Sequence, residues 1–564
     1  MKIKTAIVEP NLDLTIMDKR SKSPSLADAT TKQKIGFIST IMLVIGSSVG
    51  AGIFIKNWNI LTNVQNALLF AILSWVIAII GALAMAFALI EICSGSGHAN
   101  SQGVIGWVRE FNSKFLYRAS KNFMAYLHIP IISVIMSLYI VMVSQQAFGY
   151  DMPWWGAALV CLGLGMYHIW FVGLFSKVAN ISNWIVSMIE FVPILFACAS
   201  GFIVLATHGL YDGASWTQPA VGTNGPTPLT SFIQMSLFCG VLSSIPAVFF
   251  SFDGFYSAAG LQTEMREPRK MPKAMTIGVT VVATLELIIS ISLLLGCQDG
   301  SLFGLNLENS PFPTILIQCL MVCVFVGMLS VMAGNAVYAS RFYESLMQHD
   351  EMPFAKYFKH KLNTNKPVVG SCVTTILFTI VFLITFGGGY FFWDIGNYTS
   401  MVSITGESIY ANDTHMGNIL SFVDTYANWN ALFAFACVTF SILGCLVNRK
   451  THKVKTIKSR VFVPAAIVTV AIVGIGIIFV FISTIANFGI SINNIVNPNS
   501  SIMDHPSINQ WNANNPTNQI DTSTNLIGSI MSIVTLAVFC IIMFVPSYML
   551  RHKEVVKFAN NNRL

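Results

Sequence analysis

Gly46-Ser47-Ser48-Val49-Gly50-Ala51-Gly52-Ile53-Phe54 is the stretch whose reading decides the fold. It lies inside an apolar run, residues 35–55, about long enough to cross a bilayer at roughly 1.5 Å per helical residue. Three glycines and three other small residues in seven positions continue a helix poorly, since glycine costs about 1 kcal/mol relative to alanine in a helix interior. Unwound backbone at membrane depth is tolerated only where protein buries it or it lines a watery cavity. A helix broken here presents free N–H groups on one half and free carbonyls on the other. Such a pair holds a zwitterion, carboxylate on the N–H groups and ammonium on the carbonyls. The same residues also suit a small-residue packing face between two helices. Both readings stand on this segment alone.

The composition around it fixes the class. Of 564 residues, 54% are hydrophobic and 10% charged, with a mean hydropathy of +0.66, where a soluble domain carries about 25% charged residues. The chain reads as an all-α polytopic membrane protein surrounded by lipid. The first 34 residues are polar and contain lysine, and no cleavable signal peptide is visible. The 11 cysteines lie within or at the ends of apolar runs, so neither a disulfide framework nor a zinc spacing is expected. No metal or cofactor is implied.

Twelve spans follow from the apolar runs: 35–55, 67–92, 123–148, 154–175, 184–206, 232–260, 274–297, 315–339, 368–388, 428–447, 461–485 and 526–550. With a cytoplasmic N-terminus, all but one of the 32 Lys and Arg residues fall on the cytoplasmic side, Lys56 being the exception. The positive-inside rule therefore places both termini in the cytoplasm of a cell-membrane protein. It also accounts for the formal charge of +7 without a nucleic-acid partner. Residues 1–34 and 551–564 read as cytoplasmic tails, and 35–550 as one membrane domain. The presumed outer loops, 207–231, 389–427 and 486–525, are rich in Asn, Ser, Thr and Gly and read as solvated caps.

A second interruption answers the first. Phe249-Phe250-Ser251-Phe252-Asp253-Gly254-Phe255-Tyr256 puts an Asp-Gly pair inside span six. An aspartate at membrane depth costs about 2.5–3.5 kcal/mol on insertion scales unless it faces protein or water. The two breaks lie five spans apart, an odd number, so the halves of the chain run in opposite orientations. Paired interrupted spans at matching positions point to a midplane binding site in an inverted-repeat transporter.

The chain resembles the amino acid–polyamine–organocation (APC) permeases. Gly46 to Phe54 is similar to the family's first-helix pattern G-x-x-x-G-[SA]-G-[IV]-F. Ser251 to Phe255, followed by Glu264-Met265-Arg266-Glu267-Pro268-Arg269-Lys270-Met271-Pro272-Lys273-Ala274, looks like its sixth-helix F-x-G-F region and the tail behind it. Arg341-Phe342-Tyr343, His349-Asp350-Glu351-Met352-Pro353 and Lys366-Pro367-Val368 resemble the loop after helix eight. The resemblance implies a LeuT-type fold, a 5+5 inverted repeat over about 35–447 with helices one and six broken. Two additional helices over about 461–550 complete about 12 transmembrane helices.

The resemblance also implies the site. The substrate set is Ser47, Ser48, Val49, Gly50, Ala51, Gly52 and Ile53 from the first break, with Phe250, Phe252, Asp253 and Gly254 from the second. The N–H groups of Ala51, Gly52 and Ile53 would take a carboxylate, and the carbonyls of Ser48, Phe250 and Asp253 an amino group. Phe250 would be the aromatic gate, and Gly254 would leave room for the substrate side chain.

Six ionisable residues stand out inside the spans: Glu91, His128, His168, Glu190, Asp253 and Glu286. Glu190, in Ser187-Met188-Ile189-Glu190-Phe191-Val192-Pro193, takes a position where many members of the family carry lysine. A carboxylate there suits proton binding, sodium, a cationic substrate or a structural pairing. Glu190 and Glu286 are the coupling candidates, with a proton or sodium as coupling ion. Glu91 and Glu264 match positions that read as structural, and His128 and His168 read as satisfied packing residues. Ser330, Gly334 and Asn335 of span eight, with Trp429, Asn430 and Ser441 of span ten, offer polar groups for a pocket.

The function expected is secondary active transport of an amino acid by alternating access, by symport or exchange. A polyamine or organic-cation carrier is the alternative within transport, and a transport-inactive nutrient sensor of the same fold the alternative outside it. No H-E-x-x-H, G-x-S-x-G or P-loop supports an enzyme.

Overall fold

The computed structural model describes residues 36–48, 52–95, 103–174, 176–211, 214–218, 227–256, 265–267, 270–297, 300–306, 311–363, 366–392, 401–402, 408–409, 413–503, 505–515 and 519–561. Of the expected site, Val49, Gly50 and Ala51 lie outside the described residues, as do Glu264 and residues 1–34. Ser47 and Ser48 are described as backbone only.

The described helices are, in order, α1 (Phe37–Ser48), α2 (Gly52–Asn63), α3 (Leu68–Gly95), α4 (Val104–Phe111), α5 (Lys114–Phe123), α6 (Ile129–Phe148), α7 (Trp154–Tyr167), α8 (Ser176–His208) and α9 (Leu237–Ser251). They continue as α10 (Met271–Gly296), α11 (Thr314–Gln348), α12 (Ala355–Phe358), α13 (Val368–Phe392), α14 (Thr414–Thr451), α15 (Phe462–Val496), α16 (Ile508–Asn514) and α17 (Thr522–Asn561). One two-stranded antiparallel pair, Met401–Val402 with Ser408–Ile409, precedes α14. Among the described residues ten helical segments are long and apolar enough to cross a membrane, and α1 and α9 are shorter apolar helices. Each of the twelve expected spans corresponds to one of these, with α1 and α2 sharing the first.

The pairing of helices gives the five-plus-five form. α2 packs on α9, α3 on α10 and α6 on α11, so equivalent members of the two sets meet. α8 lies against α10 and α11, and α1 against α10. The most apolar window of the α5–α6 span is 94% buried and that of α14 78%, against 17% for α17. Spans three and ten therefore form the centre, and α17 the rim. Ile376, Ile380 and Leu383 of α13, Ile475, Ile478 and Ile482 of α15, and Val534, Val538 and Ile541 of α17 are exposed. Exposed aliphatic stripes on spanning helices are the surface a bilayer solvates.

Several helices outrun their apolar cores. α14 begins at Thr414 rather than residue 428, α15 ends at Val496 and α11 at Gln348. A helix satisfies its own backbone wherever it continues, so polar side chains at its ends do not stop it. The Asp413 side chain caps α14, accepting from Met416 N at 3.3 Å, and takes the Trp154 N–H at the start of α7 at 2.7 Å. Asp521 receives the Thr524 hydroxyl at 2.6 Å and the Ser523 N–H at 2.9 Å ahead of α17, and these bonds hold its carboxyl below the usual carboxylate range. Glu91, at the end of α3, receives Arg449 Nε at 2.9 Å and Nη2 at 2.5 Å, and the Ser459 N–H at 2.9 Å. Its role is to fasten α3 to the end of α14, the structural part expected of it.

Candidate functional site

The second interruption is described as far as Tyr256, and residues 257–264 lie outside the described residues. α9 ends at Ser251, and residues 252–256 follow as turns. The Phe252 N–H donates to the Phe249 carbonyl at 3.1 Å and the Asp253 N–H to the Phe250 carbonyl at 3.2 Å, the tightened bonding of a helix end. Gly254 then takes φ +114°, a conformation open to glycine and strained for other residues. Phe249 stacks on Phe435 of α14 with centroids 4.4 Å apart, and Phe255 and Tyr256 meet the same ring edge-on. Aromatic packing from span ten thus sets where the turn sits.

The first glycine-rich stretch, of which residues 49–51 lie outside the described residues, comes against it. α1 closes at Ser48 and α2 opens at Gly52. A Cβ on Gly52 would lie 2.9 Å from Ser251 Cα and 3.1 Å from its Oγ. The N-terminus of α2 and the C-terminus of α9, some 200 residues apart in sequence, therefore touch through a glycine. The first turn of α2 carries N–H groups that its own helix cannot satisfy, and the last turn of α9 carries carbonyls in the same condition. The Phe250 carbonyl already accepts one N–H and retains a second lone pair. Ser251 is buried and its hydroxyl has no partner among the described residues. Ile53, Phe250 and Phe252 are buried around this junction.

One ion pair beside the junction escaped the sequence reading. Lys56, assigned to the outer loops by charge counting, is fully buried in α2. Its ammonium donates to Asp424 Oδ1 of α14 at 2.8 Å and to the Tyr139 hydroxyl of α6 at 3.1 Å. Tyr139 in turn donates to Asp424 Oδ1, and Asn59 Nδ2 to Oδ2 at 3.1 Å. The ammonium sits 4.5 Å from the centroid of the Phe250 ring. Asp424 was placed in a solvated loop because the residues around it are polar. In the fold they form the first turns of α14, and the carboxylate compensates a lysine that hydrocarbon would otherwise expel. Phe250 thus lies between the broken backbone and a charged clasp joining α2, α6 and α14.

A second polar group lies behind the turn. Asp253 Oδ1 accepts the Tyr256 hydroxyl, and Tyr256 Oη is 3.3 Å from His128 Nε2. His128 ends a single π-helical turn, Met124–His128, between α5 and α6. Asp253 Oδ2, His128 Nδ1 and both polar atoms of Asn430 are buried without a hydrogen-bond partner among the described residues. His128 thus meets Tyr256 at Nε2 and has the Asn430 side chain beside its ring. His168 is satisfied, its Nδ1 lying 2.8 Å from the Leu164 carbonyl.

The coupling candidates sit on two different helices. Glu190 is buried in α8 against Gly327 of α11, where a Cβ would come within 2.6 Å of Oε1. Glu286 is buried in α10 with neither oxygen partnered among the described residues. Of the pocket residues suggested by spans eight and ten, Asn335 donates to Ser133 Oγ at 2.9 Å, while Asn430 and Ser441 are fully buried with side-chain atoms that have no partner among the described residues.

Comparison with known proteins agrees with this architecture. The family model for amino acid permeases matches residues 35–539. An uncharacterized protein of Mycoplasma pneumoniae is 32% identical over 94% of this chain and 96% of its own length. The serine/threonine exchanger SteT of Bacillus subtilis is 23% identical over 59% of this chain and 72% of its own. The putrescine transporter PotE of Escherichia coli is 23% identical over 61% and 74%. Matched by that family model over residues 35–539 and folded as a bundle of apolar helices long enough to cross a membrane, the chain belongs to the amino acid permease family.

Proposed function

We propose that the protein is a secondary active transporter that carries an amino acid across the cell membrane by alternating access. The observation that carries this reading is the approach of Gly52 to Ser251, which sets a helix N-terminus beside a helix C-terminus at the breaks. The N–H groups of Gly52 and Ile53 opening α2, with that of Ala51, take the substrate carboxylate. The carbonyls closing α1 and α9, at Ser48, Phe250 and Asp253, take its amino group. Half-helix ends supply complementary partial charges without a buried full charge, about 0.5 of an elementary charge at each. Side chains such as Phe250, Phe252 and Ile53 then act through shape, and Gly254 leaves space.

With basic loops in the cytoplasm, α2 and α9 run from the breaks toward the outer face. The Lys56–Asp424–Tyr139 clasp then lies on the outer side of the substrate, with Phe250 beneath the ammonium. Closed, it fastens α2 to α14 and bars the outer path. Outward opening requires the pair to part.

A diamine carrier is the second reading, supported by Asp253 Oδ2, which has no partner among the described residues, and by the likeness to a putrescine transporter. A diamine leaves the N–H groups of α2 without an anion and brings a further cation toward Lys56, so the amino acid is favoured. The test is exchange in proteoliposomes. Labelled serine or threonine should enter vesicles preloaded with the same amino acid, and arginine should compete better than its decarboxylated analogue. Equal competition by the two contradicts the carboxylate site.

A further inference from the structure

We propose that His128, Tyr256 and Asp253 form the proton site through which a proton gradient drives this transporter, a role resting on the transport reading above. The hydrogen-bond arithmetic defines its states. Tyr256 has one proton and gives it to Asp253 Oδ1. His128 Nε2 must then supply its own proton to the Tyr256 oxygen, 3.3 Å away. That tautomer leaves Nδ1 as an acceptor, with the Asn430 side chain beside the ring. Unprotonated, the cluster has a net charge of −1, carried by the buried Asp253 carboxylate, whose Oδ2 has no partner among the described residues.

One proton from solvent, bound at Nδ1, changes this balance. The cluster becomes a neutral imidazolium–carboxylate pair bridged by a tyrosine, and Nδ1–H becomes a donor toward Asn430, whose side chain lies next to His128. Occluding the site with its carboxylate uncompensated costs more than occluding it as an imidazolium–carboxylate pair. Asp253 is also the residue whose backbone closes the broken end of α9, so proton occupancy and the substrate's amino-group site share one turn. That shared turn is the physical basis for coupling, and it places the proton in span three and span six rather than at Glu190, which faces Gly327.

The groups facing His128 are few. Asp253 and Tyr256 come from the turn after α9, and Tyr338 of α11 and Cys437 of α14 act on it through Tyr256. From α5, Lys121 is drawn to Glu351 at 3.8 Å. α6 contributes Tyr139, held by Asp424. α17 sets Phe539 against Phe123, with Cys540 its adjoining ionisable residue. A His128 π-turn fits the role, since such turns recur at functional sites.

The experiment has two arms on the full-length protein. In proteoliposomes, labelled serine exchange without any gradient first establishes transport. An inward proton gradient should then drive accumulation, and the ratio of gradient-driven to exchange uptake should fall at least about tenfold in His128→Gln and in Tyr256→Phe, the latter retaining its ring against Phe435. In the second arm, nitrogen NMR of histidine-labelled protein in nanodiscs should show one imidazole, absent in His128→Gln, with its neutral proton on Nε2. Its proton affinity should drop at least about tenfold in Asp253→Asn. Accumulation that persists in His128→Gln, drive by sodium in place of protons, or a His128 titration indifferent to Asp253→Asn overturns the proposal. Failure of serine exchange in the wild type counts against the transport reading instead, and leaves the NMR arm to decide the proton site.

Discussion

The clasp between α2 and α14 yields an asymmetric prediction. Lys56 has no exposed side-chain surface, whereas Asp424 is 15% exposed. Asp424→Asn leaves an ammonium buried with only the Tyr139 oxygen as a strong acceptor, and should cost about 3–5 kcal/mol, the penalty for breaking one side of a buried pair. Lys56→Met leaves a carboxylate that still receives Tyr139 and Asn59 and reaches water at one edge. It should cost less, about 1–3 kcal/mol. The double variant removes both charges and should lie within about 1 kcal/mol of the wild type, because apolar or neutral replacement of a buried pair is close to neutral. The assay is equilibrium unfolding of purified protein in mixed micelles titrated with SDS, run as a double-mutant cycle. The cycle should show non-additivity of at least about 2 kcal/mol. Additive losses, or a Lys56→Met variant as damaged as Asp424→Asn, would refute the reasoning.

Three further outcomes follow from single contacts. Gly52→Val should abolish transport with surface expression retained, since its Cβ alone would press on Ser251 backbone at 2.9 Å and hold the two half-helices apart; uptake at the wild-type rate would remove the junction from the site. Glu91→Gln should lose two or more charge-assisted bonds from Arg449 and Ser459, destabilising the protein by about 1.5–3 kcal/mol in the same unfolding assay. Glu190→Gln should leave the proton dependence of uptake intact if His128 carries the proton, and a flattened pH profile would return the coupling role to Glu190.

Much of this architecture was legible before any coordinates. Glycine clusters and an Asp-Gly pair inside apolar runs have few uses in a membrane, and the odd number of spans between them fixed their opposed orientation. The clasp was hidden for a physical reason. Lys56 and Asp424 are 368 residues apart, and a hydropathy window reads the polar turns around Asp424 as loop when they continue a helix. A lysine about one turn beyond the start of α2 was the available signal, because a buried ammonium demands an acid. His128 was read as a packing residue because a lone histidine in an apolar run usually is one. Its partner could have been sought from the other side: Asp253 and Tyr256, three residues apart in a break, form a polar pair that needs a third member.

The transport account rests on a carboxylate bound by the opening turn of α2 and an amino group bound by the closing turn of α9. The most direct measurement is exchange uptake of labelled serine into proteoliposomes preloaded with serine, competed by a panel of free amino acids and their decarboxylated and N-acetylated analogues. The account predicts exchange, with inhibition requiring both the free carboxylate and the free amino group. Undiminished inhibition by analogues lacking either group would contradict it.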